Sequence, residues 1–212
     1  MRRVLLLSAL ILACLLSCAG AEAATTVVND FAELRDAVKN PASLDIRLGS
    51  DITIAAAIPV SLDAKIDGAG KKLTVSGPFR HFEVQSAAGN GPTFTGVTFE
   101  GGPNGGGISV LLGGKATFEG GEFQNNQAAS GGAVSIAPGG EATFDGATFT
   151  NNSATGNGGA VSVTGKATFN GAVTFKDNTA EGDGGAVYLD GAAVEFPSGV
   201  SFEKNQAKNG GA

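Results

Sequence analysis

The sequence predicts an all-β chain folded as a right-handed, single-stranded parallel β-helix with a short N-terminal capping helix. Three observations predict it. Gly-Gly pairs at Gly105, Gly131, Gly158, Gly184 and Gly210 recur at spacings of 26, 27, 26 and 26 residues. A Phe-x-x-Asn tetrapeptide runs in phase with them, starting at Phe123, Phe149, Phe175 and Phe202. Between these markers apolar and polar residues alternate, as in half-buried strands, and no helical stretch separates one unit from the next. Units of this kind cannot bury an apolar face alone and are stable only as a stack.

Taken in order, the chain begins as an export signal. Arg2 and Arg3 supply the positive start, Val4 to Leu16 the apolar stretch, and Ala21-x-Ala23 suits cleavage before Ala24. A second reading of the same segment is a lipoprotein box, Leu15-Leu16-Ser17-Cys18, with Cys18 as a lipidated N-terminus. The two cysteines, Cys14 and Cys18, both fall here, so cleavage near Ala23 leaves a mature chain without a disulfide or thiolate ligand. Residues 24–76 are expected to hold the cap and degenerate first coils. Phe31 to Lys39 reads as a helix: Asp30 and Glu33 form a capping box, while Phe31, Leu34, Ala37 and Val38 share one face. Such a helix would cover the unpaired strand edges at that end of the tube. Alternating pairs at Ile46/Leu48, Ile52/Ile54, Ile58/Val60, Leu73/Val75 and Phe82/Val84 extend the strand pattern forward.

Residues 77–212 carry the repeat. In the unit that starts at Gly131, strands are expected at Ala133–Ile136, Glu141–Phe144 and Ala147–Phe149, with Pro138-Gly139-Gly140 and Asp145-Gly146 as turns. The structural columns are then Gly131, Gly132, Gly158, Gly159, Gly184 and Gly185 at one corner, and Phe123, Phe149, Phe175 and Phe202 in the core. Phe118, Phe144, Phe169 and Phe196 make a second core column, which Phe94 extends backward as Phe99 extends the first. Asn126, Asn152, Asn178 and Asn205 form one more column, expected to take left-handed backbone angles and to bond coil to coil as an amide ladder. The sequence stops three residues into a new unit, at Gly210-Gly211-Ala212, which predicts a fragment of a longer protein.

Composition narrows the function. Charged residues make up 16% and the net charge is −6, with no basic cluster past the signal, so no nucleic-acid partner is expected. The paired motifs, Gly-Gly-Ala-Val at 131–134, 158–161 and 184–187 alternating with Phe-x-x-Asn, resemble the chlamydial polymorphic outer membrane protein repeat over roughly residues 94–212. That resemblance implies a pectin-lyase-like solenoid serving as an autotransporter passenger, associated with adhesion to host cells. It also implies a C-terminal membrane barrel, which these 212 residues lack along with any middle domain. Attachment to the outer membrane would then run through that further region or through a lipidated Cys18.

Parallel β-helices also carry polysaccharide lyases and hydrolases, which need clustered carboxylates. Asp177, Glu181, Asp183, Asp190 and Glu195 are the candidates, and solvated loop charges are the plainer reading, because the matching positions elsewhere are Asn151, Asn157 and Thr164. The lone His81 beside Arg80 reads as an exposed strand or turn pair rather than a catalytic one. Thr117, Thr143 and Thr168 face outward as an ordinary strand column. The chain is therefore expected to be a non-enzymatic surface passenger without cofactor, metal or catalytic residues, binding a protein or glycan on host cells or matrix. The alternatives are a carbohydrate-active β-helix enzyme and a structural spacer.

Overall fold

The computed structural model describes residues 24–42, 44–85, 89–102, 105–192, 194 and 196–211. The segment expected to be an export signal, both cysteines and Glu195 lie outside the described residues. The rest winds as a parallel β-solenoid. One seven-stranded sheet runs from Thr26–Val28 through Asp45–Leu48, Lys65–Asp67, Thr93–Thr95, Lys115–Glu119 and Glu141–Asp145 to Lys166–Asn170. A second seven-stranded sheet runs from Ile52–Ile54 through Lys72–Val75, Thr98–Glu100, Glu122–Gln124, Thr148–Thr150 and Thr174–Lys176 to Ser201–Glu203. The third has six strands, from Ile58–Val60 through Phe82–Val84, Ile108–Val110, Val134–Ile136 and Val161–Val163 to Val187–Leu189. Every pairing is parallel and one coil apart, so each strand meets its own counterpart.

Register follows the side chains. Phe118 pairs with Phe144 and Phe144 with Phe169; Phe123 pairs with Phe149 and Phe149 with Phe175. The column Phe99, Phe123, Phe149, Phe175 and Phe202 stacks at centroid distances of 4.8 to 5.1 Å with the rings nearly parallel. Phe94, Phe118, Phe144, Phe169 and Phe196 stack at 5.1 to 5.4 Å. The two columns meet edge to face within each coil, as at Phe144 and Phe149, 5.4 Å and 73° apart. Offset stacks along the axis and edges across it satisfy the ring quadrupole in both directions. A one-residue slip would turn both columns out to solvent, which is why the register is fixed.

The strands expected from the sequence are present with small shifts: Val134–Ile136, Glu141–Asp145 and Thr148–Thr150. The structure adds a fourth, three-stranded sheet of two-residue strands, Gln127–Ala128, Ser153–Ala154 and Thr179–Ala180. Two residues show no period, so this element has no signature in the sequence.

The helix is Phe31–Ala37, two residues shorter than expected, with Val38 as its C-cap. The Asp30 carboxylate accepts the Glu33 N–H at 2.9 Å, while the Glu33 carboxylate accepts the Asn29 N–H at 2.7 Å, so the reciprocal arm falls one residue earlier than a capping box places it. Leu34, Ala37 and Val38 are buried against the first coil. The helix packs on strands Thr26–Val28 and Ile52–Ile54 and joins its apolar face to the tube's core.

Candidate functional site

The repeated residues point inward or into the backbone. Asn126, Asn152 and Asn178 are fully buried. Asn152 Nδ2 donates to Asn178 Oδ1 at 2.9 Å and to the Phe123 carbonyl at 2.9 Å, and its backbone N–H donates to Asn178 Oδ1 at 3.0 Å. The same set links Asn126 to Asn152 and Asn178 to Asn205. These asparagines do not take left-handed angles, contrary to the sequence-based expectation. The residue before each one does: Asn125, Asn151, Asp177 and Lys204, at φ of 53 to 56°. The chain must reverse there to turn the next amide inward, so the strain falls on the corner and the hydrogen bonds fall on the ladder.

The Gly-Gly pairs divide their work similarly. Gly131, Gly158 and Gly184 have φ of 57, 70 and 67°. Gly132, Gly159 and Gly185 do not, but a Cβ on Gly159 would overlap the Gly185 carbonyl oxygen, and one on Gly132 the Gly159 carbonyl oxygen. A polar residue precedes each pair. The Asn157 side-chain oxygen accepts the Asp183 N–H at 2.9 Å, and the Asp183 carboxylate accepts from Asn209 Nδ2 at 2.7 Å. This second polar ladder is legible in the sequence only as Asn-Gly or Asp-Gly before Gly, a common turn signal.

The acidic candidates are dispersed around one coil. Asp177 holds the left-handed corner, Asp183 is paired to Asn209, Glu181 is exposed between them, and Asp190 lies past the third sheet. No three His, Cys, Asp or Glu side chains come together as a metal-holding group among the described residues. Thr117, Thr143 and Thr168 form a half-buried outward column, which Thr93 begins.

His81 and Arg80 overturn their expected exposure. Counted back from the paired strands Phe82, Ile108 and Val134, His81 shares a column with Gly107 and Ala133, and Arg80 shares one with Gly106 and Gly132. His81 is fully buried. Its Nδ1 accepts the Gly107 N–H at 2.9 Å, which leaves the proton on Nε2 to be donated to the Leu73 carbonyl at 2.8 Å. Its ring meets Phe99 edge-on at 5.5 Å. Burial holds the imidazole neutral, with a pKa lowered to about 4. A lone histidine in a degenerate coil has no column to betray which way it points.

Arg80 is partly buried and spans two later coils. Nη1 donates to the carbonyls of Gly131 at 3.0 Å and Ile108 at 3.3 Å, and Nη2 donates to Ser130 at 2.7 Å. No carboxylate lies within salt-bridge distance of it among the described residues. Desolvation lowers its pKa to about 10, against a weaker opposing pull from Glu83.

Beside the constant threonine column, other outward positions on the sheets change from coil to coil. Lys115, Glu141 and Lys166 share one column; Glu119, Asp145 and Asn170 another. Glu122, Thr148, Thr174 and Ser201 follow, beside Gln124, Thr150, Lys176 and Glu203. Comparison with curated proteins and with solved structures gives no significant match. The model of the right-handed beta helix region family matches residues 84–212. The chain therefore belongs to the right-handed β-helix family.

Proposed function

We propose that this chain is the non-enzymatic, surface-exposed passenger region of a bacterial adhesin, exported across the inner membrane and displayed outside the cell. One observation carries the reading. Apart from the outward threonine column, the residues that repeat are used up inside the tube or at its corners, and most of those that vary are presented on its polar outer faces. A rigid rod with a changing polar face suits recognition spread over several coils, in the way solenoid surfaces bind partners. The resemblance of the repeat to chlamydial polymorphic outer membrane proteins supports a host-cell or matrix partner and an outer-membrane anchor on the same polypeptide.

The test is a binding assay with purified residues 24–212 on cultured cells and matrix proteins, run beside a polysaccharide-cleavage assay. Saturable binding without cleavage is expected. Deleting two whole coils should weaken binding; a spacer would keep it, and glycan cleavage would reassign the chain as an enzyme.

A further inference from the structure

Arg80 stands where the repeat places a glycine, and its side chain runs outward over the next coils. The three carbonyl bonds occupy both Nη1 hydrogens and one Nη2 hydrogen. Nε–H and the second Nη2–H have no bonding partner among the described residues, although a guanidinium carries five donors. Asn126 Oδ1 is the one buried polar side-chain atom without a partner among those residues, so Nε, which has none, is open to solvent, and the Nη2 nitrogen stands beside it on the same edge of the guanidinium. That space is a cleft of about 380 Å³ lined by Pro78, Phe79, Ala128, Ala129 and Ser135. The Nε/Nη2 edge is the side of a guanidinium that takes a carboxylate through two parallel hydrogen bonds.

We infer that this cleft receives one acidic side chain of a partner protein, its carboxylate on the Nε/Nη2 edge of Arg80 and its methylenes against Phe79, Pro78 and Ala129. The walls choose between kinds of carboxylate. An acidic sugar brings several hydroxyls per ring, whereas the cleft's polar side chains besides Arg80 are Ser130, Ser135 and Gln127, and the Ser130 hydroxyl is already bonded to the Asn157 carbonyl and Ser162 Oγ. A glutamate side chain brings two methylenes and no further polar group. The three carbonyls on the guanidinium partly offset its charge, which keeps a single contact weak and suits a surface that binds through many coils. Glu83, on the adjoining strand, competes for the same charge. The inference takes its protein partner from the adhesive reading, but its chemistry is tested separately.

The experiment follows the Arg80 Nε–H resonance of the full chain during titration with N-acetyl-glutamate amide, N-acetyl-glutamine amide and glucuronate. The glutamate probe should bind with a Kd on the order of 1–10 mM, about tenfold tighter than either of the others. Glu83→Gln should tighten it. Arg80→Lys should lose it, and because Arg80 also ties coils together, Ala129→Phe serves as the second variant: it fills the cleft and leaves every Arg80 bond in place. Loss of glutamate binding in Ala129→Phe with an unchanged melting midpoint supports the cleft. Equal response to glutamate and glutamine probes, tighter binding of glucuronate, or undiminished binding in Ala129→Phe overturns it. Cell adhesion without glutamate binding would sink this inference alone, whereas glutamate binding without adhesion would sink the functional proposal.

Discussion

The first coils and the later ones have the same sheets but hold them together differently. Before residue 77 the core is aliphatic, built mainly from Ile46, Leu48, Ile52, Ile54, Ile58, Val60, Ile66, Leu73 and Val75. In that stretch Ile52 pairs with Leu73, a coil of 21 residues, whereas Phe123 pairs with Phe149 after 26. The later coils add the stacked Phe columns and the Asn ladder. The parallel tube therefore needs neither aromatic stacks nor amides; aliphatic alternation suffices. What the repeat adds is room for the extra corner strand and a polar pin to close that corner. At the seam, Phe79-Arg80-His81-Phe82 takes the place that Gly-Gly-Ala-Val holds in the repeats.

The harshest way to break the repeats is at that corner. Gly159→Ala puts a Cβ onto the Gly185 carbonyl and Thr179 backbone, neither of which moves without its own coil. A loss of roughly 4 kcal/mol or more is expected by chemical denaturation, at the exceptional end for single substitutions. Gly146→Ala is the control. Gly146 has φ of 70°, and a methyl group there would meet nothing within 4 Å, so only backbone strain of about 1–2 kcal/mol should appear. Equal losses at both sites would show that close backbone approach does not explain the second glycine.

Next in size is the ladder. Asn152→Ala removes the acceptor of the Asn126 N–H and Nδ2 and the donor to Phe123 O and Asn178 Oδ1, all inside the tube. Buried groups left without partners cost about 1–3 kcal/mol each, so a total near 3–5 kcal/mol is expected. Asn205→Ala, at a partly exposed position, should cost roughly half as much or less, because water can reach the groups left behind. Denaturant midpoints that match for the two variants would mean that the ladder gains nothing from burial.

Whether a residue's place can be read from the sequence depends on whether its position has a column. The Phe stacks, the Gly-Gly corners and the ladder membership of Asn126, Asn152, Asn178 and Asn205 are legible, since one column repeats one environment. The left-handed residue lies one place earlier than expected, because Asn125 and Asn151 are also asparagine and only Asp177 and Lys204 separate the corner from the ladder. His81 and Arg80 defy the pattern because polar residues outside a column are placed at the surface by default. Leu73, smaller than the Phe99 that follows it in the second sheet, is the residue whose carbonyl His81 reaches. The cleft beside Arg80 depends on contacts between residues 50 and 51 positions apart in sequence, which no local pattern encodes.

His81 gives a third contrast, this time in pH. Its folded pKa, near 4, lies below the ordinary 6.5, so the unfolded chain binds the extra proton first as pH falls. Stability from the neutral ring is fully present above about pH 6.5 and is lost as pH drops through the folded value, by an amount on the order of 3 kcal/mol. Solenoids unfold locally, so the loss should concentrate in the first coils. Hydrogen exchange at about pH 7 and about pH 4.5, either side of the ordinary histidine range, should show faster exchange of Ile58, Phe82 and Ile108 amides than of Val161 and Val187. Uniform acceleration along the tube would show that the seam and the repeats form one cooperative unit.

The smallest effect sits at the far end of the repeat. Lys204 occupies the corner that Asn125, Asn151 and Asp177 fill in earlier coils, with φ of 53°. Left-handed angles cost an ordinary side chain about 1–2 kcal/mol, and asparagine offsets part of this by bonding to its own backbone. Lys204→Asn should therefore raise stability by roughly 0.5–1 kcal/mol, and Asn151→Lys should lower it by a similar amount. Because the two changes are made at the same corner of different coils, their melting midpoints should shift in opposite directions and by nearly equal degrees. If both variants melted lower, the preference would belong to each coil's own surroundings and not to the corner that all of them share.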